Sequence, residues 1–333
     1  MTKCLIIGSG LVGLTTAYEL IKQGHNVTII DNSQKGQASK SAAGLLYPLS
    51  PWSNSRYMQE ICISGHQEYN NFFKNLSINE QKEISIEKKN IIIFGKNLNN
   101  AKEWYKKKNF IESEYYEKKI KIIEDNIKEK FQNYLLIKNI NIINPNELIK
   151  FYIKKLKNYG VIFKNENIIN IYDYIDNNKN NNYDFIVIAA GSWSNQILKD
   201  SAIDLKPIKG QLLEFKTSKK LIENVILFDD YYIIPKKNNT ILIGATLEDV
   251  GFKNGITEEA KEYLRKPISQ IFSFNIDILD EKYTYGFRPY AGIQDPYIKK
   301  DNKNNRIIYN FGHYRYGVLT AITSAKIVSN LVD

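Results

Sequence analysis

Apolar and polar residues follow two different periods in the first part of the chain. Lys3–Ile7 (KCLII) is a continuous apolar run of strand length, while residues 11–23 carry apolar side chains at helical spacing. A second apolar run at 27–30 ends in Asp31. This predicts a strand, a turn, a helix, a second strand and an acid at its end. Residues 56–76 read as a helix with one apolar stripe, and 78–138 as charged and irregular, with a strand at 91–94 and a helix around 101–108. Asn144 and Pro145 mark a helix start, the asparagine as cap and the proline in the first turn. That helix should run to about Asn158, with Gly160 ending it before a strand at 161–164. The unbroken apolar run 184–189 suits a buried parallel strand whose C-terminal end, at Ala190 and Gly191, opens onto a ligand. Short runs at 208–215, 231–234 and 241–245 predict an antiparallel meander, with Asn238 and Asn239 as one of its turns. The chain closes with a strand at Ile307–Phe311, a glycine loop at 312–317 and a helix at 318–331.

The turn after the first strand carries Gly8, Gly10 and Gly13 in the order GxGxxG. Alone the motif is weak; between a strand and a helix, with Asp31 closing the next strand, it has the context that a dinucleotide requires. Gly8 permits the tight turn and Gly10 lets the backbone approach a pyrophosphate. Gly13 lets helix and strand pack closely, and the free N–H groups of the helix N-terminus face the anion. Asp31 is placed to accept hydrogen bonds from a ribose.

At 333 residues the chain can support two domains, and 43% hydrophobic content is ordinary for a globular protein. No run of eighteen apolar residues occurs, which predicts no membrane span. The chain enters its first strand at once, so no signal peptide is expected. Cys4 and Cys62 both fall in apolar patterns and suggest neither a disulfide framework nor a metal site, so a cytoplasmic protein is expected. His25, His66 and His313 show no metal-ligand spacing. The formal charge of +10 comes from lysines mixed with Asn, Ile and Glu, as at 87–90, 96–100, 105–109 and 177–182. That mixture reads as solvated loops, so no nucleic-acid or membrane partner is expected.

Several segments together resemble the FAD-dependent amine and D-amino-acid oxidase family. Beyond the glycine turn, these are SAAGLL at 41–46, DFIVIAAGSW at 184–193 and GHYRYGVL at 312–319. Within the family the likeness is greatest to the branch that oxidises glycine for thiamine biosynthesis. It rests on LYPLSPW (46–52), KGQ (209–211), YIIP (232–235), GATLEDVGF (244–252), GFRP (286–289) and the HYRYG loop. The likeness covers nearly the whole chain and is weakest over 78–138.

The resemblance implies a two-domain α/β oxidoreductase, with a Rossmann-like FAD-binding domain (1–65, 140–205 and 300–333) and an antiparallel-sheet substrate domain (66–139 and 206–299). It implies oxidation of glycine or a small primary or secondary amino acid to the imine, with O2 reduced to hydrogen peroxide. FAD contacts would come from Gly8, Gly10, Leu11, Val12, Gly13, Asp31 and Asn32. The small-residue loop would add Ser39, Lys40, Ser41, Ala43, Gly44 and Leu45, and the middle of the chain Ile168 and Gly191. His313, Tyr314, Tyr316, Gly317, Val318 and Leu319 would close over the flavin, with His313 acting through its backbone. The sarcosine-oxidising branch ties its flavin to a cysteine in the C-terminal half. This chain has none after Cys62, which predicts non-covalent FAD.

A small amino acid offers its carboxylate as the one strong handle, and a planar guanidinium meets it with two parallel hydrogen bonds. Arginines are few (Arg56, Arg265, Arg288, Arg306 and Arg315), and two of them lie in glycine-, proline- and tyrosine-containing segments outside the lysine-rich runs. The resemblance makes Arg288 the carboxylate clamp, sets Arg315 beside it and lets the Tyr232 hydroxyl reach the same carboxylate. No general base stands out, and none is needed if the amine loses its proton on binding. Two features depart from the family pattern: the turn after Pro289 (YAGIQDPYIK, 290–299) is altered and misses a usual glycine, and Tyr316 stands where asparagine is common. Within the same fold, a D-amino-acid dehydrogenase with a quinone acceptor and the FAD domain of a tRNA wobble-uridine enzyme remain alternatives. The sequence leaves the oligomeric state open, a homo-oligomer included.

Overall fold

A computed structural model describes residues 1–108, 113–120, 123–177, 183–199, 203–292 and 295–332. Its first sheet begins with β1 (Lys3–Ile7) and β2 (Asn26–Asp31), joined by helix α1 (Leu11–Lys22). The second sheet is entered through α2 (Arg56–Lys74), α3 (Ile78–Ile84), β3 (Glu87–Phe94), α4 (Leu98–Lys108), β4 (Ser113–Tyr116) and β5 (Tyr134–Ile142). The chain returns to the first sheet through α5 (Pro145–Asn158), β6 (Ile162–Asn165), α6 (Ile171–Asn177), β7 (Phe185–Ile188) and α7 (Ser194–Leu198). It then builds most of the second sheet from β8 (Lys206–Thr217), β9 (Val225–Phe228), β10 (Tyr231–Lys236), β11 (Thr240–Gly244), α8 (Glu258–Ile271) and β12 (Ile278–Tyr290). Finally β13 (Tyr297–Lys300), β14 (Ile307–Phe311) and α9 (Gly317–Val332) complete the first.

The first sheet has six strands in the order β13-β14-β7-β1-β2-β6, parallel except for β13. Successive side chains of β1 point to opposite faces. Cys4 and Ile6 enter a core with α1, α2, α5 and α9, whereas Leu5 and Ile7 meet Ile171, Ile197 and Tyr309 on the other side. Burial on both faces explains why β1 and β7 are continuous apolar runs rather than alternating ones.

The second sheet has eight strands in the order β12-β8-β11-β10-β9-β3-β5-β4. Its pairs are antiparallel except β3 with β9. Leu213, Phe215, Ile233 and Ile243 face α8, while Leu212, Tyr232, Ile234 and Leu242 face the opposite side with Trp104 and Tyr105 of α4. Asn238 and Asn239 both adopt positive φ, 57° and 56°, and make the tight turn between β10 and β11. At α5 the Asn144 side chain accepts from the Asn146 N–H at 3.0 Å and Pro145 occupies the first turn, as the sequence predicts.

Two long strands differ from the sequence expectation. β5 begins at the end of the stretch 78–138 read as irregular and runs past it; Asn139 takes a left-handed φ of 60° and the pairing with β3 shifts register between Lys89 and Ile91. That bulge interrupts the period-2 pattern. β12 is an edge strand whose outward residues are charged, so its sequence ILDEKYTYGFRPY carries little apolar signal. A division of the chain at 65/66 would cut α2 in its middle, and α2 packs on α9 with Met58, Cys62, Tyr69 and Phe73 all in one core with β1 and α1. The helical segments at 56–84 thus belong to the layer covering the parallel sheet. No helix among the described residues is long and apolar enough to cross a membrane.

Where α1 meets β1 the packing leaves no room for a side chain. A Cβ at Gly13 would lie 2.0 Å from the Gly8 carbonyl oxygen. Gly13→Ala should therefore force α1 off the sheet and cost about 1–3 kcal/mol, as overpacking does. A thermal melt reads this as a lowered Tm; an unchanged Tm would show that the helix gives way freely.

Candidate active site

One cavity of about 1120 Å3 runs between the C-terminal ends of the parallel strands and the second sheet. At one end lie Gly8, Gly10 and Val12 of the first turn, Asp31 and Asn32 after β2, and Ile168. Gly8 has a φ of 110°, a conformation open to glycine. Gly10 is the N-cap of α1 and brings no capping side chain of its own, Ser39 Oγ takes the Leu11 N–H, and the first turn has no acid. The helix therefore directs free N–H groups and a positive dipole end at the cavity, the setting for a pyrophosphate. Asp31 holds the turn in place: its carboxylate accepts from the N–H groups of Ser9 and Ser33, both at 2.6 Å, and from Gln37 Nε2 at 3.2 Å.

Ser39, Ser41, Ala43, Gly44, Leu45 and Gly191 also line the cavity. Ser39 Oγ accepts from the Leu11 N–H at 3.1 Å, and Lys236 Nζ donates to the Ala43 carbonyl at 2.8 Å. Burial brings the Lys236 amine down to about 8. Three residues expected at the cofactor do not line the cavity. Leu11 turns its side chain into the core, and Gly13 is pressed against the Gly8 carbonyl behind the turn. Lys40 points to solvent, leaving its carbonyl to accept from Asn146 Nδ2 at 3.1 Å. Each neighbours a residue that does face the cavity, and the backbone direction decides between them.

The closing loop supplies His313, Tyr314, Tyr316, Gly317, Val318 and Leu319, all on the cavity wall. The His313 side chain fixes the loop. Its Nδ1 lies 2.9 Å from Thr320 Oγ1 and its Nε2 3.0 Å from Asn310 Oδ1, which ties the loop to both α9 and β14. Tyr316, the departure from asparagine, donates its hydroxyl to the Leu49 carbonyl at 2.6 Å and lies 3.0 Å from Asn54 Oδ1. It anchors the LYPLSPW segment to the loop. The altered turn after Pro289 includes residues 293 and 294, which lie outside the described residues.

The other end of the cavity holds Arg288, Arg315 and Tyr232. Strand pairing explains how Arg288 arrives there. β12 runs against β8 with Gly286 opposite Gly210 and Arg288 opposite Ile208. The guanidinium lies across Gly210, where a Cβ would come within 2.1–2.4 Å of its Cζ and both Nη atoms. Arg288 Nη1 donates to the Thr246 carbonyl at 3.0 Å, and Tyr232 is its hydrogen-bonded neighbour. Tyr232 in turn needs Gly244, where a Cβ would meet its ring and hydroxyl at 2.2–2.4 Å. Burial pulls the Arg288 guanidinium below its ordinary value, with Tyr232 opposing. Burial raises the Tyr232 phenol, against the pull of Arg288 and Arg315, so it stays protonated and can donate. Arg315 is exposed at the mouth. Gly210, Gly244 and Thr246 escaped the sequence reading. The signal was their position inside the KGQ and GATLEDVGF segments.

The cavity is large enough for a dinucleotide together with a small ligand, and its two ends offer an anion-binding helix terminus and a guanidinium. A sequence profile described as FAD dependent oxidoreductase matches residues 3–331. The chain belongs to this family. FAD is the family's cofactor, and the open N-terminus of α1 with the close-packed glycine turn fits its pyrophosphate. Glycine oxidase of Pseudomonas aeruginosa is 25% identical over 99% of this chain and 94% of its own length. Glycine oxidase from Bacillus cereus shares the fold at a TM-score of 0.85 with 21% identity, covering 100% of this chain and 97% of that one. Iminodiacetate oxidase from Chelativorans sp. BNC1 does so at 0.83 with 18% identity, covering 99% and 95%.

His313 generates a prediction about this flavoprotein's stability. Burial lowers its pKa from 6.5 to about 3. The folded state resists protonation that the unfolded chain accepts, so stability is full above pH 6.5 and falls as the pH drops towards 3. The slope from this one group is about 1.4 kcal/mol per pH unit. Melts between pH 7 and 4 should show His313→Gln with a shallower loss than the parent. Parallel curves would contradict the neutral, buried assignment.

Proposed function

We propose that the chain is an FAD-dependent oxidase of glycine or another small primary or secondary amino acid, forming the imine with O2 as acceptor and hydrogen peroxide as product. The observation that carries this reading is the Arg288 guanidinium, seated on Gly210 and flanked by Tyr232, in the same cavity as the N-terminus of α1. The names of the relatives support the same substrate class. They also support a supply of imine to thiazole synthesis, since similar chains occur as bifunctional ThiO/ThiG proteins.

In this reading FAD supplies the two-electron acceptor for the α-carbon hydride. The glycine turn, Asp31, the loop carrying Ser41 to Leu45 and the loop from His313 to Leu319 hold FAD without a covalent bond. Both cysteines, Cys4 and Cys62, are buried outside the cavity lining. Arg288 takes the substrate carboxylate in a two-point contact and the Tyr232 hydroxyl donates to it. Fixing the carboxylate orients the α-carbon, which a point charge on a flexible stem would do less well. Leu49, Trp52, Leu227 and Tyr263 line the cavity and exclude water from the bound amine. A desolvated amine is disfavoured as the ammonium, so it sheds its proton on binding without a dedicated base.

Arg288→Lys keeps the charge and removes the fork. Its KM for glycine should rise by at least about tenfold, a loss on the order of 1.5–3 kcal/mol for a charged hydrogen-bonded contact. Steady-state peroxide assays read this directly. A KM equal to the parent's would remove Arg288 from the carboxylate site.

A further inference from the structure

A polar network lies beside Gly210, built around the next residue of β8. Gln211 is fully buried and Thr246 nearly so. Gln211 Nε2 donates to both carboxylate oxygens of Glu248, at 2.8 and 3.1 Å, and Thr246 Oγ1 donates to Glu248 Oε1. Gln211 Oε1 accepts from the Thr257 N–H at 3.1 Å, and the Gln211 N–H donates to Thr246 Oγ1 at 2.8 Å. The backbones of Lys209 and Glu248 exchange two hydrogen bonds, at 2.9 and 3.0 Å. The segment from Ala245 to Thr257 is thereby fastened along β8.

Thr246 joins this network to the clamp. Its hydroxyl and N–H belong to the network, while its carbonyl accepts from Arg288 Nη1. Glu248 is the group on which the polarity depends: as an acceptor-only carboxylate it takes donors from Gln211 and Thr246 at once. An amide oxygen at the Oε1 position could still accept from both, but its nitrogen would then stand at the Oε2 position, 3.1 Å from Gln211 Nε2, with N–H against N–H. Relieving that contact would shift Gln211 on its Thr257 bond, and with it the Thr246 carbonyl that Arg288 uses.

We propose that Glu248 is a positioning residue, acting through Thr246 to hold the Arg288 guanidinium in register for a substrate carboxylate. This rests on the reading of Arg288 as the carboxylate clamp. The test is titration of the FAD-loaded protein with acetate, a carboxylate with no amine to oxidise, followed by the flavin's visible absorbance. Glu248→Gln should weaken acetate binding about tenfold. The double variant Glu248→Gln with Gln211→Glu should restore affinity to within about twofold. In it the carboxylate introduced at position 211 accepts from the Thr257 N–H and from the amide introduced at position 248, whose oxygen accepts from Thr246. If Glu248→Gln does not retain FAD, Thr246→Val serves instead, since it deletes the hydroxyl and keeps the carbonyl; the same weakening is expected. Parent-like acetate affinity in the variant tested, or failure of the exchange to restore it, would overturn the proposal, whatever the change in Tm. Arg288→Ala separates the two readings. If it loses acetate binding while Glu248→Gln does not, only the positioning role falls. If it binds acetate like the parent, the clamp itself is wrong.

Discussion

The arrangement turns on a guanidinium held inside the cavity without a carboxylate partner. Arg288 makes hydrogen bonds to a backbone carbonyl and a tyrosine, and no acid among the described residues neutralises it. An unpaired charge taken out of water is costly, and the surrounding structure has to hold it there. Contrast Arg56 and Arg265, which sit at the surface against Glu60 and Glu281. A carboxylate ligand would complete at Arg288 what those side chains find within the chain. In the proposed reading, that cost would become selectivity for an anion of the right shape.

The fold supplies this clamp through register rather than through any one loop. β12 must pair with β8 so that Gly286 faces Gly210, since a one-residue slip would turn Arg288 to the other face. β10 must pair with β11 so that Tyr232 lies over Gly244. The two glycines clear the surface on which the two polar side chains lie. In the same cavity, the parallel sheet presents the N-terminus of α1 at the strand ends, where open α/β sheets bind ligands. Two sheets of different construction thus meet along one cavity, one presenting the N-terminus of α1 and the other the Arg288 guanidinium.

What could be read in the sequence follows from how local each feature is. The unit from Lys3 to Asp31 was legible because strand, turn, helix and acid lie within thirty-one residues and each has its own signal. The cap at Asn144 and the turn at Asn238 and Asn239 are equally local. Arg288 was marked by its motif and by the scarcity of arginine. Gly210, Gly244 and Glu248 were not legible in their roles, because each depends on a partner met only after long-range pairing. Leu11, Gly13 and Lys40 were set at the cofactor by adjacency along the chain, which says nothing about which way a residue faces. β5 was lost to one left-handed asparagine.

In the proposed reading one cavity brings a small amino acid to FAD with its carboxylate on Arg288. The decisive experiment mixes the purified flavoprotein with glycine in the absence of air and then admits air. Glycine should bleach the flavin's visible absorbance, and air should restore it with release of hydrogen peroxide. A bound flavin that glycine, sarcosine and D-alanine all leave oxidised would contradict it.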